Sequence, residues 1–377
     1  MADIFLSPTG NDDAAGHSNS PLATLKRAHE ALQPGDKLWL RGGIHRCTGL
    51  QWTKGDVSIH AWPGEAPVID LSTTVLWSLD GEVYTADLTG LAVSAYSNIY
   101  VFIKGIGVCV DCMCEQHFVE RTVKPLPLKS ITWYNKDTKR LQLKLAPGLD
   151  VPNPQETFRI VSSASQLNFS PLAGKELANV VLRGFAIQYG MFGIHIGSSD
   201  QTKVHHFTLS DLKLDYLLWG IQGVCNDLLI EDLLIDDIAA CYFWFNNSWY
   251  RRWWQQHGIY LGGQRVQIND TYVGYTPSGS AMQTVGVLGA RSSFQVNRMI
   301  TRAEVLWQDI DAVCDDCEFM NNPDPEKLCR AALTWYGTRA NVTMNGGSLE
   351  APIPYSYVTN GNVLTLNWTE VFGKVVP

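Results

Sequence analysis

Three aspartates in the middle of the sequence have the type and spacing of paired catalytic carboxylates. Asp215 and Asp236 each follow the last apolar residue of a short repeated pattern, and Asp237 comes directly after the second of them. If the repeats stack as neighbouring strands, Asp215 and Asp236 lie ~4.8 Å apart. Two like charges at that distance favour a shared proton, which keeps one carboxyl protonated as a general acid near neutral pH. The alternative is that these side chains only hydrogen-bond their own turns.

A histidine and an aromatic segment follow these aspartates. Residues 239–256 contain eight aromatic side chains, and His257 begins the sequence His-Gly-Ile-Tyr. The aromatic residues either pack on the protein or on a partner chain, or form the wall of a sugar-binding groove; membrane contact is a third reading. His257 either is hydrogen-bonded in the protein wall or carries a proton for catalysis. The predicted substrate contacts are Tyr216, Trp244, Trp249, Tyr250, Arg252, Trp253, Trp254, Tyr260, Glu304 and Trp307.

A second acidic group and two cysteine pairs contain residue types that can bind metal ions. Glu304, Asp309 and Asp311 could supply a further carboxylate to a glycosidase, hold a calcium ion, or form a solvated turn. Cysteines at 109 and 112, and again at 314 and 317, have the Cys-x-x-Cys spacing, but the partner pairs of a zinc site are missing. We therefore expect buried thiols and no metal site.

A repeated pattern must position these residues. It reads apolar, any, apolar, two residues, apolar, any, apolar, and recurs eight times between Val180 and Val371. The alternation predicts strands with one buried face, and the gap between the two apolar pairs predicts a bend. The steps between copies are mostly 21 to 28 residues, which is typical of a solenoid whose coils stack to bury their inner faces. The step from Ile230 to Ile268 is 38 residues, so the aromatic segment must leave the coil as a loop.

The rest of the chain divides around this repeat. Gly184, Asp211, Asp270 and, in the sixth copy, Asn321 occupy the predicted bends, where small polar residues favour tight corners. Apolar spacing over Pro21–Leu32 predicts a helix that caps the first core layer. Hairpin-like strands before residue 160 predict a small inserted β-domain. The predicted domains are 1–74, the N-terminal cap and first coils; 75–160, the inserted β-rich subdomain; and 161–377, the main parallel β-helix.

The composition narrows the class of protein. A charged fraction of 18%, 32 glycines and 45% hydrophobic residues suit a turn-rich β protein with a large core. A net charge of -8 argues against nucleic acid as a partner. No apolar run approaches the ~18 residues of a membrane-spanning helix, and the first residues lack the layout of a signal peptide. The nine cysteines are odd in number, so at least one is unpaired.

Two stretches resemble a known family. The opening IFLSPTGNDD…SPLATLKRAHEALQPGDKLWLRGGIHR and the HGIY strand resemble the pectate-lyase-like superfamily of right-handed parallel β-helix proteins. That superfamily includes polysaccharide lyases, glycoside hydrolases, epimerases and phage tailspikes, so the resemblance implies a fold more than an activity. Asp236-Asp237 followed by His257-Gly258 is similar in spacing to a polygalacturonase motif. However, Gln256 stands where that motif has glycine and no Arg-Ile-Lys follows, so specificity for homogalacturonan is not implied.

These observations predict an all-β, right-handed, single-stranded parallel β-helix that acts on a poly- or oligosaccharide. The leading hypothesis is a glycoside hydrolase that uses Asp236, Asp237 or Asp215 with help from His257 and needs no cofactor. The ~4.8 Å spacing is nearer the ~5 to 5.5 Å of retaining glycosidases than the ~6.5 to 9.5 Å of inverting ones. The alternatives are a polysaccharide lyase acting on a uronate polymer with Ca2+, or a phage tailspike that binds or degrades host glycan. We expect a monomer or homotrimer, secreted or virion-associated, without nucleic-acid or membrane partners.

Overall fold

Inner apolar residues of consecutive repeats lie one above another in the computed structural model. Leu209 pairs with Ile230, and Ile230 with Ile268, and all three side chains are fully buried. The structure describes residues 2–91, 99–112, 130–162, 164–197, 201–236, 238, 242–245, 248–251, 256–274, 276, 280–286, 290–321, 331–335, 340–356 and 361–372.

Short strands and two short helices make up the described chain. The strands as far as the middle of the chain are β1 Asp3–Leu6, β2 Lys37–Leu40, β3 Gly43–Arg46, β4 Leu50–Trp52, β5 Val57–Ala61, β6 Pro67–Asp70, β7 Trp77–Asp80, β8 Val83–Asp87, β9 Tyr100–Ile103, β10 Gly107–Val108, β11 Val110–Cys112, β12 Ile131–Asn135, β13 Arg140–Lys144, β14 Phe158–Val161, β15 Gln166–Phe169, β16 Leu177–Arg183, β17 Ala186–Gln188, β18 Phe192–Ile196 and β19 Val204–Asp215. The remaining strands are β20 Trp219–Val224, β21 Asn226–Ile235, β22 Tyr242–Phe245, β23 Ser248–Arg251, β24 Ile259–Gly262, β25 Val266–Asn269, β26 Tyr272–Val273, β27 Met282–Thr284, β28 Ser292–Asn297, β29 Ile300–Thr301, β30 Val305–Trp307, β31 Ile310–Asp315, β32 Glu318–Met320, β33 Ala331–Trp335, β34 Asn341–Asn345, β35 Ser348–Glu350, β36 Ile353–Ser356, β37 Val363–Asn367 and β38 Glu370–Phe372. The helices are α1 Leu25–Ala31 and α2 Pro154–Thr157, and a 3-10 turn spans Gln201–Lys203.

Each coil of the solenoid has three faces, and every face is a parallel sheet. The first face stacks β1, β2, β5, β16, β19, β21, β25, β28, β31, β34 and β37. The second face stacks β3, β6, β17, the ends of β19 and β21, then β26, β29, β32, β35 and β38. The third face stacks β4, β15, β18, β20, β24, β27, β30, β33 and β36. The predicted parallel β-helix is therefore confirmed.

The bend between the first and second faces, here called the first corner, needs a left-handed backbone. Positive φ angles recur there at Gly184, Asp211, Asp232, Asp270, Arg298, Asp316 and Gly346. Glycine and aspartate tolerate this conformation better than most residues, which explains the polar bends of the repeat. The bend predicted at Asn321 in the sixth copy was wrong. It lies at Asp316, because Cys314 and Cys317 are both inner, fully buried residues on either side of it.

Side-chain amides and carboxylates stack along the first corner of the later coils. They form a hydrogen-bonded ladder with links of 2.6 to 3.0 Å, made by Asn269, Asn297, Gln295, Asp315, Asn345 and Asn367. Such a ladder pairs the partly buried polar groups of one coil with those of the next. The later coils therefore build this corner without aromatic residues.

Helix α1 packs against the first strand of the solenoid. The hydroxyl of Thr24 accepts a hydrogen bond from the backbone N–H of Arg27 at 3.2 Å and so caps the helix. Leu25 and Ala28 are buried in the main core. The helix begins at Leu25 and not at Pro21, because Leu22 hydrogen-bonds through its backbone to Phe5 and Ser7 instead.

Mostly antiparallel strands between residues 77 and 161 belong to two further sheets over a hydrophobic cluster of their own, although β11 and β12 pair in parallel. β9, β10 and β14 form one sheet; the other has the order β23, β22, β11, β12, β13, β8, β7. β22 and β23 come from the aromatic segment, and β22 pairs in parallel with β11, with Asp111 opposite Phe243. The segment that leaves the coil after Ile238 thus extends the sheet of a distant part of the chain.

The predicted domain boundaries, at residues 74/75 and 160/161, stay a prediction. Within the described ranges, neither helix has the length or hydropathy of a transmembrane segment.

Candidate functional site

A column of polar residues ends the second face. One residue past its last inner position, consecutive coils carry Asp70, Gln188, Asp215, Asp236 and Gly274, here called the acidic column. The backbone N–H of Asp236 donates to the carbonyl of Leu214 at 3.0 Å, which holds Asp215 and Asp236 on adjacent coils. The two aspartates thus occupy the equivalent positions that the repeat predicts.

A lysine on the same strand holds Asp215. Nζ of Lys213 lies 2.7 Å from Oδ2 of Asp215, whose side chain is 14% exposed. The hydrogen bond to Asp215 raises the pKa of Lys213, and the negative charge of Asp236 adds to this effect. Oδ1 of Asp215 is buried and has no hydrogen-bond partner among the described residues. A buried carboxylate oxygen without a donor is unfavourable, so this atom is suited to accept a hydrogen bond from a ligand hydroxyl.

A glycine makes room for the carboxylate of Asp236. A Cβ atom at Gly274 would lie 2.4 Å from Oδ1 of Asp236, closer than any real contact. The φ angle of Gly274 is outside the left-handed region. Position 274 therefore needs glycine because a larger residue would collide with Asp236, and not because the backbone has a conformation that only glycine adopts. The carboxylate of Asp236 leans towards the following coil.

The acidic column begins with a buried ion pair. Oδ2 of Asp70 lies 3.5 Å from Nε of Arg159, a distance for an ion pair without hydrogen-bond geometry, and both side chains are at most 6% exposed. Oδ1 of Asp70 accepts hydrogen bonds from the backbone N–H and hydroxyl of Ser72 at 2.9 and 2.6 Å. Arg159 belongs to β14, so this pair joins the antiparallel sheets to the solenoid beside the column. Asp70 has a structural role.

The bend after the acidic column, here called the second corner, is lined with aromatic rings. The rings of Tyr189 and Tyr216 stack 5.2 Å apart at 10°. Tyr189 is 2% exposed, and burial raises its pKa. Trp219 follows at the start of the third face and packs edge-on against His257, with the ring centroids 4.9 Å apart. The second corner therefore connects the acidic column with the predicted histidine.

His257 is part of the protein wall and is 2% exposed. Its Nδ1 accepts a hydrogen bond from the backbone N–H of Ser280 at 3.3 Å and lies 2.6 Å from the Ser280 hydroxyl. Because Nδ1 is an acceptor, the neutral ring carries its proton on Nε2. Tyr260 stacks on the ring at 5.4 Å, and burial raises the pKa of this tyrosine. His257 is therefore hydrogen-bonded within the wall of the solenoid, and its catalytic role stays a prediction.

The other predicted site residues fall into four groups. Tyr216 and Tyr260 are partly exposed near the second corner, and Glu304 is 6% exposed at the start of the third face. Trp307 is fully buried in the main core, so its predicted contact with substrate was wrong. The backbones of Trp244, Trp249 and Tyr250 lie in the β22–β23 hairpin. Asp237, Arg252, Trp253 and Trp254 lie outside the described residues.

Glu304, Asp309 and Asp311, the second acidic group of the sequence, do not form one cluster in the structure. Glu304 precedes the third face, whereas Asp311 lies on the first face and pairs with Arg291 at 2.8 Å. Asp309 lies in the bend between them with a φ of 49°. Three residues that are close in sequence are thus spread over two faces of one coil. Among the residues that the structure describes, no three His, Cys, Asp or Glu side chains converge in a way that could hold a metal ion.

Sequence reasoning overlooked Lys213 and Arg159. Lys213 precedes Asp215 by two residues and so points to the same side of its strand, a signal that the sequence does carry. Asp70 could be found in the same way, by extending the repeat back to Pro67–Asp70. Arg159 reaches the column from another part of the chain, and no spacing in the sequence indicates this.

Comparisons with known proteins support the fold. No family model matches the chain. Over 75 residues, which are 18% of this chain and 18% of the relative, the sequence is 37% identical to pectate lyase PEL9 of Emericella nidulans. The match thus spans less than a fifth of that enzyme's length. The solved structure of XylC with xylose superposes with a TM-score of 0.59 at 12% identity and covers 91% of this chain and 69% of that one. The chain has a parallel β-helix fold, and this fold is similar to that of XylC.

Proposed function

We propose that this chain is a carbohydrate-active enzyme, a glycoside hydrolase that cleaves a poly- or oligosaccharide at the second corner with Asp215 and Asp236. The observation that carries the proposal is the geometry of Asp215. One of its oxygens is held by Lys213, the other is buried without a described partner, and a second carboxylate stands on the next coil. Two carboxyl groups in different surroundings are what acid/base cleavage of a glycosidic bond needs.

Asp215 and Asp236 have different roles in the proposed reaction, and Lys213 holds the first of them. Its ammonium group lies 2.7 Å from one oxygen of Asp215 and fixes the position of that carboxylate, which suits a nucleophile or a base that activates water. On the next coil, Leu234 is paired with Lys213, and the charge of Asp236 adds to the raised pKa of Lys213. In the proposed reaction, Asp236 is the acid that protonates the leaving oxygen while the anomeric carbon is attacked. The partly exposed rings of Tyr216 and Trp219 offer apolar surface to the sugar.

A calcium-dependent elimination fits the described residues less well. The ammonium group of Lys213 lies 2.7 Å from Asp215 and would repel a cation at the same carboxylate. The raised pKa of Lys213 keeps it protonated, whereas the base of an elimination must be deprotonated. No step of the proposed reaction passes through a metal ion. The partial likeness to pectate lyase PEL9 makes elimination the rival outcome of the test.

The test is a polysaccharide panel with two readouts. Release of reducing ends reports hydrolysis, and ultraviolet absorbance of unsaturated ends reports elimination. Xylose-containing substrates come first, because XylC was solved with xylose, and polygalacturonate follows. We expect reducing ends without unsaturated ends. Asp215→Asn and Asp236→Asn should each lower the rate by about 100-fold or more, with little change in melting temperature.

Asp270→Asn is the matched control. Asp270 is also an aspartate of a solenoid bend, but it lies at the first corner and pairs with Arg298. This variant should keep full activity. Full activity of both Asp215→Asn and Asp236→Asn would remove the assignment, and unsaturated products from wild-type enzyme would replace hydrolysis by elimination.

A further inference from the structure

A groove opens at the first corner of the early coils, on the opposite edge of the second face from the acidic column. Its volume is 360 Å3, within the range of small-molecule sites. The lining residues include Trp39, His60, Trp62, Arg183 and Asp211. Phe5, Trp39, His60 and Arg183 occupy one register position on successive strands of the first face. The groove is thus built on the rigid body of the solenoid.

The aromatic residues of this groove are not needed to form the corner. Later coils build the same corner from asparagine and aspartate side chains in a hydrogen-bonded ladder. In the early coils, Trp62 stands edge-on to Trp39 with the ring centroids 5.4 Å apart at 85°. The two indole rings therefore form two sides of the groove that stand at right angles to each other. Both rings are partly exposed.

Polar groups surround these two indole rings. The indole N–H of Trp39 donates to Oδ1 of Asp3 at 2.9 Å, and Arg41 pairs with Glu65 at 2.7 Å, so these groups already have partners. His60 is half-buried, and burial, followed by the nearby charges of Lys37 and Arg183, lowers its pKa. A neutral imidazole offers one donor and one acceptor. Arg183 adds donors and Asp211 adds acceptors, both on exposed side chains.

We propose that this groove is a second carbohydrate-binding site, which holds one or two neutral sugar rings and does not cleave them. A sugar ring has an apolar face for the indoles and hydroxyl groups that both donate and accept, which matches Arg183, His60 and Asp211. Donors and acceptors of opposite charge balance each other here, so the groove favours a neutral sugar over a uronate. This site goes beyond the proposed cleavage and stands whether or not the acidic column is catalytic.

The test uses the Asp236→Asn protein labelled with 5-fluorotryptophan, titrated with xylobiose, cellobiose, galactobiose and digalacturonate. Fluorine NMR resonances are assigned by single Trp→Phe variants. At least one neutral disaccharide should move the resonances of Trp39 and Trp62 and leave the buried Trp52 and Trp307 unmoved. Movement of Trp219 reports binding at the second corner instead, so the failure of either proposal is seen separately.

Variants complete the test. Trp39→Ala and Arg183→Gln should each weaken binding by about tenfold, whereas Trp368→Ala, which removes a tryptophan 90% exposed on the last coil, should change nothing. Because Arg183 is exposed, its variant keeps the fold even if a tryptophan variant does not. The proposal is overturned if no neutral disaccharide shifts Trp39 or Trp62, if digalacturonate binds more tightly than all of them, or if Arg183→Gln binds as wild type.

Discussion

Oδ1 of Asp236 occupies the space in which a side chain at Gly274 would begin, 2.4 Å from the position of a Cβ atom. Gly274→Ala should therefore push the carboxylate aside while the backbone keeps its conformation. If Asp236 is the acid, this displacement lowers kcat/KM by about 100-fold, because misplacement by ~1 Å costs that much. Kinetics on the best substrate of the panel and a crystal structure of the variant check this. Gly90→Ala, where a Cβ would meet nothing within 4 Å, is the control.

Lys213 should matter for activity through its charge. Lys213→Met removes the cation 2.7 Å from Asp215 and should lower kcat, whereas Lys213→Arg should keep a large part of it. The side chain of Lys213 is 50% exposed, so the melting temperature should change little. The raised pKa of Lys213 places its titration above the ordinary value of 10.5, so it should not shape the activity profile near neutral pH. Undiminished kcat in Lys213→Met would contradict this role.

The ion pair between Asp70 and Arg159 should be costly to break from one side. Arg159→Met leaves the buried carboxylate of Asp70 with only the half-exposed Arg46, 3.7 Å away, as a cation and should lower the free energy of unfolding by up to about 3 to 5 kcal/mol. Adding Asp70→Asn should recover part of this loss, because the asparagine oxygen still accepts from Ser72. Urea denaturation measures both values. Arg298→Met, at an exposed ion pair, should have a much smaller effect. Equal stability of the single and double variants would exclude the buried charge as the cause.

His45 should make the fold sensitive to acid. Its ring is 3% exposed, Nε2 donates to the carbonyl of Arg41 at 2.7 Å, and burial lowers its pKa below the ordinary 6.5. The unfolded chain thus takes up a proton near pH 6.5 that the folded protein accepts only at lower pH. The stabilisation is complete above about pH 6.5 and is lost as the pH falls towards the folded pKa.

His45→Gln tests this dependence. The slope of unfolding free energy against pH, between about pH 7 and 5, should be smaller in the variant than in wild type, by at most about 1.4 kcal/mol per pH unit. Some slope should remain, because burial also lowers the pKa of His29 and His195. An identical slope in both proteins would show that His45 does not cause it.

The fold was predictable because each coil repeats a local pattern. Leu209, Ile230 and Ile268 could be aligned from the sequence, and their stacking then places Asp215 beside Asp236 without further information. The bend at Asp316 was missed because Cys317 and Phe319 were aligned as the apolar pair before the bend, whereas the buried Ala312 and Cys314 occupy that place. Trp307 was misassigned for a related reason: a tryptophan on a strand faces the core or the solvent according to register, and its register was not established from the pattern.

The parts of the site that depend on distant segments could not be predicted. Arg159 meets Asp70 only because β14 folds back beside the solenoid, and its sequence neighbourhood contains no sign of this. The aromatic segment was expected to fold on the coil or to line a groove, but pairing of its hairpin with β11 depends on the insertion as a whole. Long-range pairing of this kind has no local signature.

The parallel pairing of β22 with β11 has a consequence for how such a protein can change. Phe243 and Asp111 are far apart in the chain, yet they are paired residues of these two strands, so each strand covers an edge of the other. If the segment around β11 or the segment around β22 is replaced alone by that of a homologue, the strand that remains loses its hydrogen-bonding partner. Recombination at this place should succeed only when both segments are transferred together.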